Sequence, residues 1–108
     1  MAASTKPRKR RRWPYILEKD FQQAVVDYAH LCGWKTYHTY DSRRSDAGFP
    51  DLTMVRGTRL IFVELKSHKG KTNAAQDEWL DALDHVPHVS VYLWKPVDWP
   101  EIERILAK

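Results

Sequence analysis

Cysteine is almost missing from this chain: Cys32 stands alone in 108 residues. It cannot close an internal disulfide, and without a second cysteine neither a zinc finger nor a dithiol redox centre can be built. Beside Leu31, near the end of a helical pattern, it reads as a packing residue. The histidines His30, His68, His85 and His88 show no spacing that would assemble a metal set, and His38, on a strand, either faces a phosphate or is structural. Long apolar runs are missing too. None approaches the roughly 20 residues that span a bilayer, and the first residues lack the apolar stretch of a secretory signal. The expectation is an intracellular, cytoplasmic protein with no membrane partner. No internal repeat occurs. No helix-turn-helix pattern announces sequence-specific reading of DNA.

What the chain does have is positive charge and tryptophan. Lysine and arginine number 18 against 14 acids, for a net charge of +4 and an isoelectric point near 9.3. The surplus is uneven. Lys6, Arg8, Lys9, Arg10, Arg11 and Arg12 form a block that repels itself, next to Pro7, Trp13 and Pro14. Such a block grips phosphates through salt-dependent, sequence-blind contacts; a solubility tail and a nuclear-address look-alike are the other readings. Arg43 and Arg44 make a second basic point, and Lys66, Lys69 and Lys71 a third. The apolar share of 43% supports one compact domain, while the mean hydropathy of −0.63 leaves much of it wetted. The division is a basic, mobile arm over 1–14 and a folded domain over 15–108.

The order of elements is legible. Phe21, Val25, Tyr28 and Leu31 recur at a helical period over 18–32, and Gly33 ends that helix. Trp34 to Tyr40 reads as a strand, and 41–48 as a polar loop. The stretch 51–66 reads as a hairpin, and His68–Thr72 as a basic loop. Thr72 or Asn73 caps a second helix through about Asp84. Val86-Pro87 breaks it, His88 to Trp94 forms the last strand, and a short helix starts near Asp98 with Pro100 in its first turn. In the last strand Val89, Val91 and Leu93 are the apolar alternates of His88, Ser90 and Tyr92. Trp34, Trp79 and Trp94 read as core. Trp13 and Trp99 either pack, stack on an unpaired base or help form a dimer surface.

The hairpin carries the chemistry. Asp51 to Arg56 is one strand, Gly57-Thr58 a two-residue turn, and Arg59 to Lys66 the return. A two-residue turn fixes the register, so Arg56 faces Arg59, Val55 faces Leu60 and Asp51 faces Glu64. Opposed side chains share a face with Cβ atoms about 5 Å apart. Two carboxylates that close repel each other unless a divalent cation lies between them. Lys66, two residues past Glu64, points the same way. Two acids and a base on one spot suit metal-dependent phosphodiester cleavage. Magnesium takes one or two carboxylates and leaves room for water and phosphate. Lys66 then positions or deprotonates that water, or stabilises the transition state. An ordinary cross-strand patch with Lys66 paired to Glu64 is the plainer reading.

Pro50-Asp51 followed by Glu64-Leu65-Lys66 resembles the PD-(D/E)XK nuclease superfamily. The wider pattern is similar to its VRR-NUC branch, in the small stand-alone form common in phages. The matching pieces are Glu18-Lys19-Asp20-Phe21-Gln22, Gly33-Trp34, His38, Gly48-Phe49-Pro50-Asp51-Leu52, Glu64-Leu65-Lys66, and Gln76 with Trp79-Leu80. Together they cover about residues 15 to 106.

The resemblance implies an α/β fold, a restriction-endonuclease-like αβββαβ core plus a C-terminal helix, with helices flanking a mixed sheet. It implies a Mg2+- or Mn2+-dependent endonuclease. Asp51, Glu64 and the backbone carbonyl of Leu65 would hold metal, and Lys66 would act on the nucleophile. Glu18 and Gln76 would support catalysis. Glu18 shares the helical face of Phe21 and Val25, so it is expected to look inward. A first-turn acid that only favours the helix is the alternative. Gln76 is expected to orient Lys66 or water, or else to be a surface glutamine of the first turn. Lys6, Arg8–Arg12, Arg43, Arg44, Lys69 and Lys71 would hold nucleic acid. The implied substrate is DNA, branched or otherwise structured, four-way junctions included. The implied state is a homodimer, and the implied setting extends to a phage-infected bacterial host. The competing function is a nucleic-acid-binding module with a weak or vestigial nuclease site.

Overall fold

A computed structural model describes residues 16–40 and 46–108. The arm expected over 1–14, with its basic block and Trp13, lies outside the described residues, as do Arg43 and Arg44. The elements are α1 (Glu18–Leu31), β1 (Lys35–His38), β2 (Leu52–Arg56), β3 (Arg59–Leu65), α2 (Ala74–Asp84), β4 (Val89–Trp94), a 3-10 turn (Pro96–Asp98) and α3 (Trp99–Ala107). This is the expected αβββαβα order. No helix among the described residues is long and apolar enough to cross a membrane.

Helix α1 begins with acids Glu18 and Asp20 in its first turn, where they favour the helix dipole. It ends in a Schellman motif. Gly33 adopts φ +89°, its N–H donates to His30 O, and the Trp34 N–H donates to Ala29 O. The hairpin turns on Gly57 at φ +62°, while Thr58 keeps a negative φ, which makes a type II′ turn. The register follows, with Arg56 opposite Arg59 and Val55 opposite Leu60. Helix α2 starts on a capping box: Asn73 Oδ1 accepts from Gln76 N, and Gln76 Oε1 accepts from Asn73 N.

The sheet order is β1-β2-β3-β4. The first three strands are antiparallel neighbours, and β4 joins β3 in parallel after the α2 crossover. One face meets α1 and α3. Leu52, Met54, Ile61, Val63, Leu65 and Trp94 pack there on Phe21, Val25, Ala29, Ile102, Ile105 and Leu106. The other face carries Thr53, Phe62 and Glu64 and is covered by α2, with Phe49 edge-to-face on both Phe62 and Trp79.

Two local readings change. In β4 the buried member is Trp94 on the two-helix side, with Tyr92 half-buried beside it, while Leu93 is half exposed. A single short helix cannot bury every apolar alternate of the opposite face, so the Val89-Val91-Leu93 row is only partly covered. Trp79 is likewise half-buried rather than central. Strand β4 starts at Val89 because His88 turns through φ +67°, a conformation no strand accommodates. Trp99 packs beside the core, its ring edge-on to Tyr28, and Cys32 is half-buried there.

Candidate active site

The ends of β2 and β3 nearest β4's last residues meet over the α2-side face. Asp51 sits at the bend before β2. Its main chain is tied to the strand on one side, the Thr39 N–H donating to Asp51 O at 2.8 Å. Its carboxylate crosses to the other side and accepts the Leu65 N–H at 2.8 Å. That contact holds Asp51 beside Glu64, the position the turn register requires one step past the Leu52–Val63 pair.

Glu64 is 2% exposed, a rarity for a carboxylate. Its Oε2 lies 3.5 Å from Lys66 Nζ. Its Oε1 has no partner. Among the described residues, Glu64 Oε1 and Trp94 Nε1 are the buried side-chain polar atoms left without one. Burial, then the Asp51 charge, push the Glu64 carboxyl up to about 7 against the opposing pull of Lys66, and Glu18 adds to the rise. Burial and the neighbouring carboxylate together raise Glu64 more than the Lys66 ammonium lowers it.

This donor set fits a divalent cation. An orphaned carboxylate oxygen beside a second carboxylate is a ready ligand position, and the remaining shell is left to backbone, water and substrate. No group of three or more His, Cys, Asp and Glu side chains capable of holding a metal forms among the described residues. The donors are thus two carboxylates, and the Leu65 peptide lies against one of them.

The expected supporting residues stand as follows. Glu18 is exposed at the first residue of α1, not turned into the protein as expected, yet its charge reaches Glu64. Gln76 Oε1 accepts the Asn73 N–H in the helix cap, which occupies one of that amide's hydrogen-bonding positions. His38 pairs with Leu52 on the face opposite Glu64 and leans on Tyr40. Lys69 and Lys71 are exposed on the loop after Lys66.

Some supports were invisible in the sequence. Thr39 donates through Oγ1 to Pro50 O at 2.8 Å and so braces the Pro50-Asp51 segment from β1. Nothing in a lone threonine 12 residues away signals that. Gly48 has φ +92°, and a Cβ there would stand 2.5 Å from the Ala75 backbone. The glycine lets the approach to Asp51 press against the start of α2. Its place just before Phe49-Pro50-Asp51 was the available clue.

A family model for the VRR-NUC domain matches residues 2–93. A solved structure described as a VRR_NUC domain protein aligns with a TM-score of 0.62 at 18% identity, covering 84% of this chain and 85% of that one. At that identity the likeness is one of fold. No curated protein matches the chain.

Proposed function

The chain belongs to the VRR-NUC family and carries a nuclease-type domain, and from that premise we propose that it is a Mg2+- or Mn2+-dependent, structure-selective DNA endonuclease. The observation that carries the reading is the buried, partnerless Glu64 Oε1 beside Asp51. A buried carboxylate with nothing to bond is costly unless a ligand satisfies it.

In this reading Asp51, Glu64 and the Leu65 carbonyl hold the cation. A cation held there would supply a lowered pKa for a bound water and charge neutralisation at the scissile phosphate. The Leu65 N–H keeps the Asp51 carboxylate in place, and Thr39 keeps its main chain in place. Lys66 holds a proton at Nζ beside Glu64 and directs it at the attacking water or the phosphate oxygens. The new bond is water oxygen to phosphorus and the broken bond is the ester P–O; the attacking water gives its proton to solvent, and the leaving alkoxide takes one up from solvent, so the step balances. Glu18 supports from the rim. Lys69 and Lys71 flank the site and, with Lys6, Arg8–Arg12, Arg43 and Arg44, contribute phosphate contacts.

Branched DNA, four-way junctions included, is the proposed substrate, cut by a homodimer. One domain offers one site, and paired nicks need two related by a twofold axis. The test is cleavage of end-labelled linear duplex, single strand, flap, fork, four-way junction and RNA with Mg2+, Mn2+ or EDTA. Metal-dependent cutting of a branched form, lost in Lys66→Ala, is the expected result. Tight binding with no cutting in either metal would refute it and favour a binding module. Sedimentation reading a monomer both free and on DNA would refute the dimer.

A further inference from the structure

A second feature shares the sheet face of the carboxylates. Between β1 and α2 lies a cavity of about 370 Å3 lined by Tyr37, Thr39, Asp46, Phe49 and Trp79, within the size range of small-ligand sites. We propose that this pocket receives an unpaired nucleobase next to the scissile phosphate; the inference rests on the nuclease reading and names the part of the substrate that the site recognises.

Its position comes from the register. Tyr37 pairs with Thr53, and Thr53 with Phe62, so these three form one row across the sheet. Asp51 lies two residues before Thr53, and Glu64 two residues after Phe62. The carboxylate row is thus adjacent to the Tyr37 row, about 7 Å along the strands. That is about twice the 3.4 Å rise of a stacked strand, the reach of a nucleotide pulled out of its stack. The pocket is also coupled to the site through Thr39, which lines it and braces both Pro50 and Asp51.

Its chemistry selects a base over a phosphate. Of the five described residues that line it, three are aromatic and none is a lysine or arginine. The charged member is Asp46, an acceptor that repels phosphate and accepts from the exocyclic amino groups of cytosine and adenine. Thymine offers no such amino group. The floor is rigid, because Phe49 is clasped edge-to-face by Phe62 at 5.8 Å and by Trp79 at 5.0 Å. Tyr37 is 62% exposed and presents a free ring to stack on. A paired base cannot enter, so the pocket discriminates for bulges, gaps and branch points.

The test reads binding without cleavage, on the full chain carrying Lys66→Ala, in EDTA, by fluorescence anisotropy. The probes are a paired duplex, the same duplex with one bulged cytosine, one bulged thymine, and an abasic analogue at the bulge. The bulged cytosine should bind best. Adding Tyr37→Ala should weaken it about 10-fold, to the abasic level, since one aromatic stack contributes roughly this much. Tyr37→Phe should restore it, and Asp46→Ala, which removes the acceptor, should erase the preference for cytosine over thymine. An abasic bulge bound as tightly as the cytosine bulge, or an equal loss on all four probes with Tyr37→Ala, would overturn the proposal. Because no cutting is read, these outcomes are separate from whether the unmutated protein cleaves DNA with magnesium.

Discussion

The Asp51 carboxylate takes its hydrogen bond from the backbone N–H of Leu65, the residue directly after Glu64 in the chain. One side chain thereby locks the two strands at the point where their acids meet. Asp51→Asn keeps an acceptor oxygen for that N–H and removes the charge. Asp51→Ala removes both and strands a backbone donor. We expect Asn to abolish cleavage with a urea midpoint close to that of the unmutated protein. Ala should abolish cleavage and also cost about 1–3 kcal/mol. Cleavage by the Asn variant at the unmutated rate would remove Asp51 from the site.

Glu64 gives the protein a pH signature. Its carboxyl is raised to about 7 in the fold from an ordinary value of 4.5. The folded state therefore binds the proton more tightly than the unfolded chain does. The associated stability is present below pH 4.5 and is lost as pH rises to about 7. In EDTA the unmutated protein should lose up to roughly 3 kcal/mol relative to Glu64→Gln between pH 4.5 and 7.5. Urea titrations of the pair across that range measure it. Magnesium added at pH 7.5 should raise the midpoint of the unmutated protein and leave Glu64→Gln unmoved. Parallel profiles for the two proteins in EDTA would contradict this account.

The hairpin register also opposes two like charges, Arg56 and Arg59, a pairing that ordinarily destabilises a sheet. The tertiary structure resolves it. Arg56 Nη1 donates to Cys32 O and Leu106 O, both at 2.9 Å, at the C-terminal ends of α1 and α3. Arg59 Nη2 donates to Ile105 O. Both guanidinium groups lie over the Trp34 ring, 4.8 and 4.7 Å from its centroid, and Trp34 Nε1 itself donates to Leu106 O. Arg56→Ala should cost about 2–4 kcal/mol through lost charge-assisted bonds and cation–π contact. Arg56→Lys should recover only part, since a single ammonium lacks the planar fork. Chemical denaturation checks both, and the cleavage rate of folded protein in the cold should be unchanged.

These residues mark how far the sequence could be read. The turn Gly57-Thr58 dictated the hairpin register, and the register brought Asp51 and Glu64 together, because a two-residue loop leaves the strands no freedom to slip. Asn73 and Gly33 marked helix ends for equally local reasons. Glu18 and Gln76 were harder. Helical periodicity gives a face but not whether the first residue of a helix is covered, and Glu18 is exposed. Gln76 also closes its own helix cap, a local bond available to a glutamine three residues after an asparagine, which periodicity alone does not show. The alignment of Tyr37 with the carboxylates needed the β1–β2 register, across a connection of 13 residues too long for its turn residues to fix it. Arg56 and Arg59 showed only as a charge conflict until α1 and α3 supplied their carbonyls.

Gly48 joins fold to site and yields the sharpest structural test. Its φ of +92° is costly for any residue with a Cβ. The added carbon would also meet Ala75 C at 2.5 Å, Ala75 O at 2.6 Å and Gln76 N at 2.8 Å, all backbone. Backbone in the first turn of a capped helix cannot rotate aside as a side chain can. Either α2 lifts, weakening the Phe49–Trp79 contact and the second face of the sheet, or the Gly48–Asp51 segment shifts. A shift of even about 1 Å at a catalytic carboxylate costs on the order of 100-fold in rate. Gly48→Ala should therefore lower stability by about 2 kcal/mol or more and lower cleavage further than the unfolded fraction explains. Urea titration and single-turnover cleavage on the same preparation separate the two losses. A variant as stable and as active as the unmutated protein would show that the close packing of Gly48 on α2 does not hold Asp51 in place.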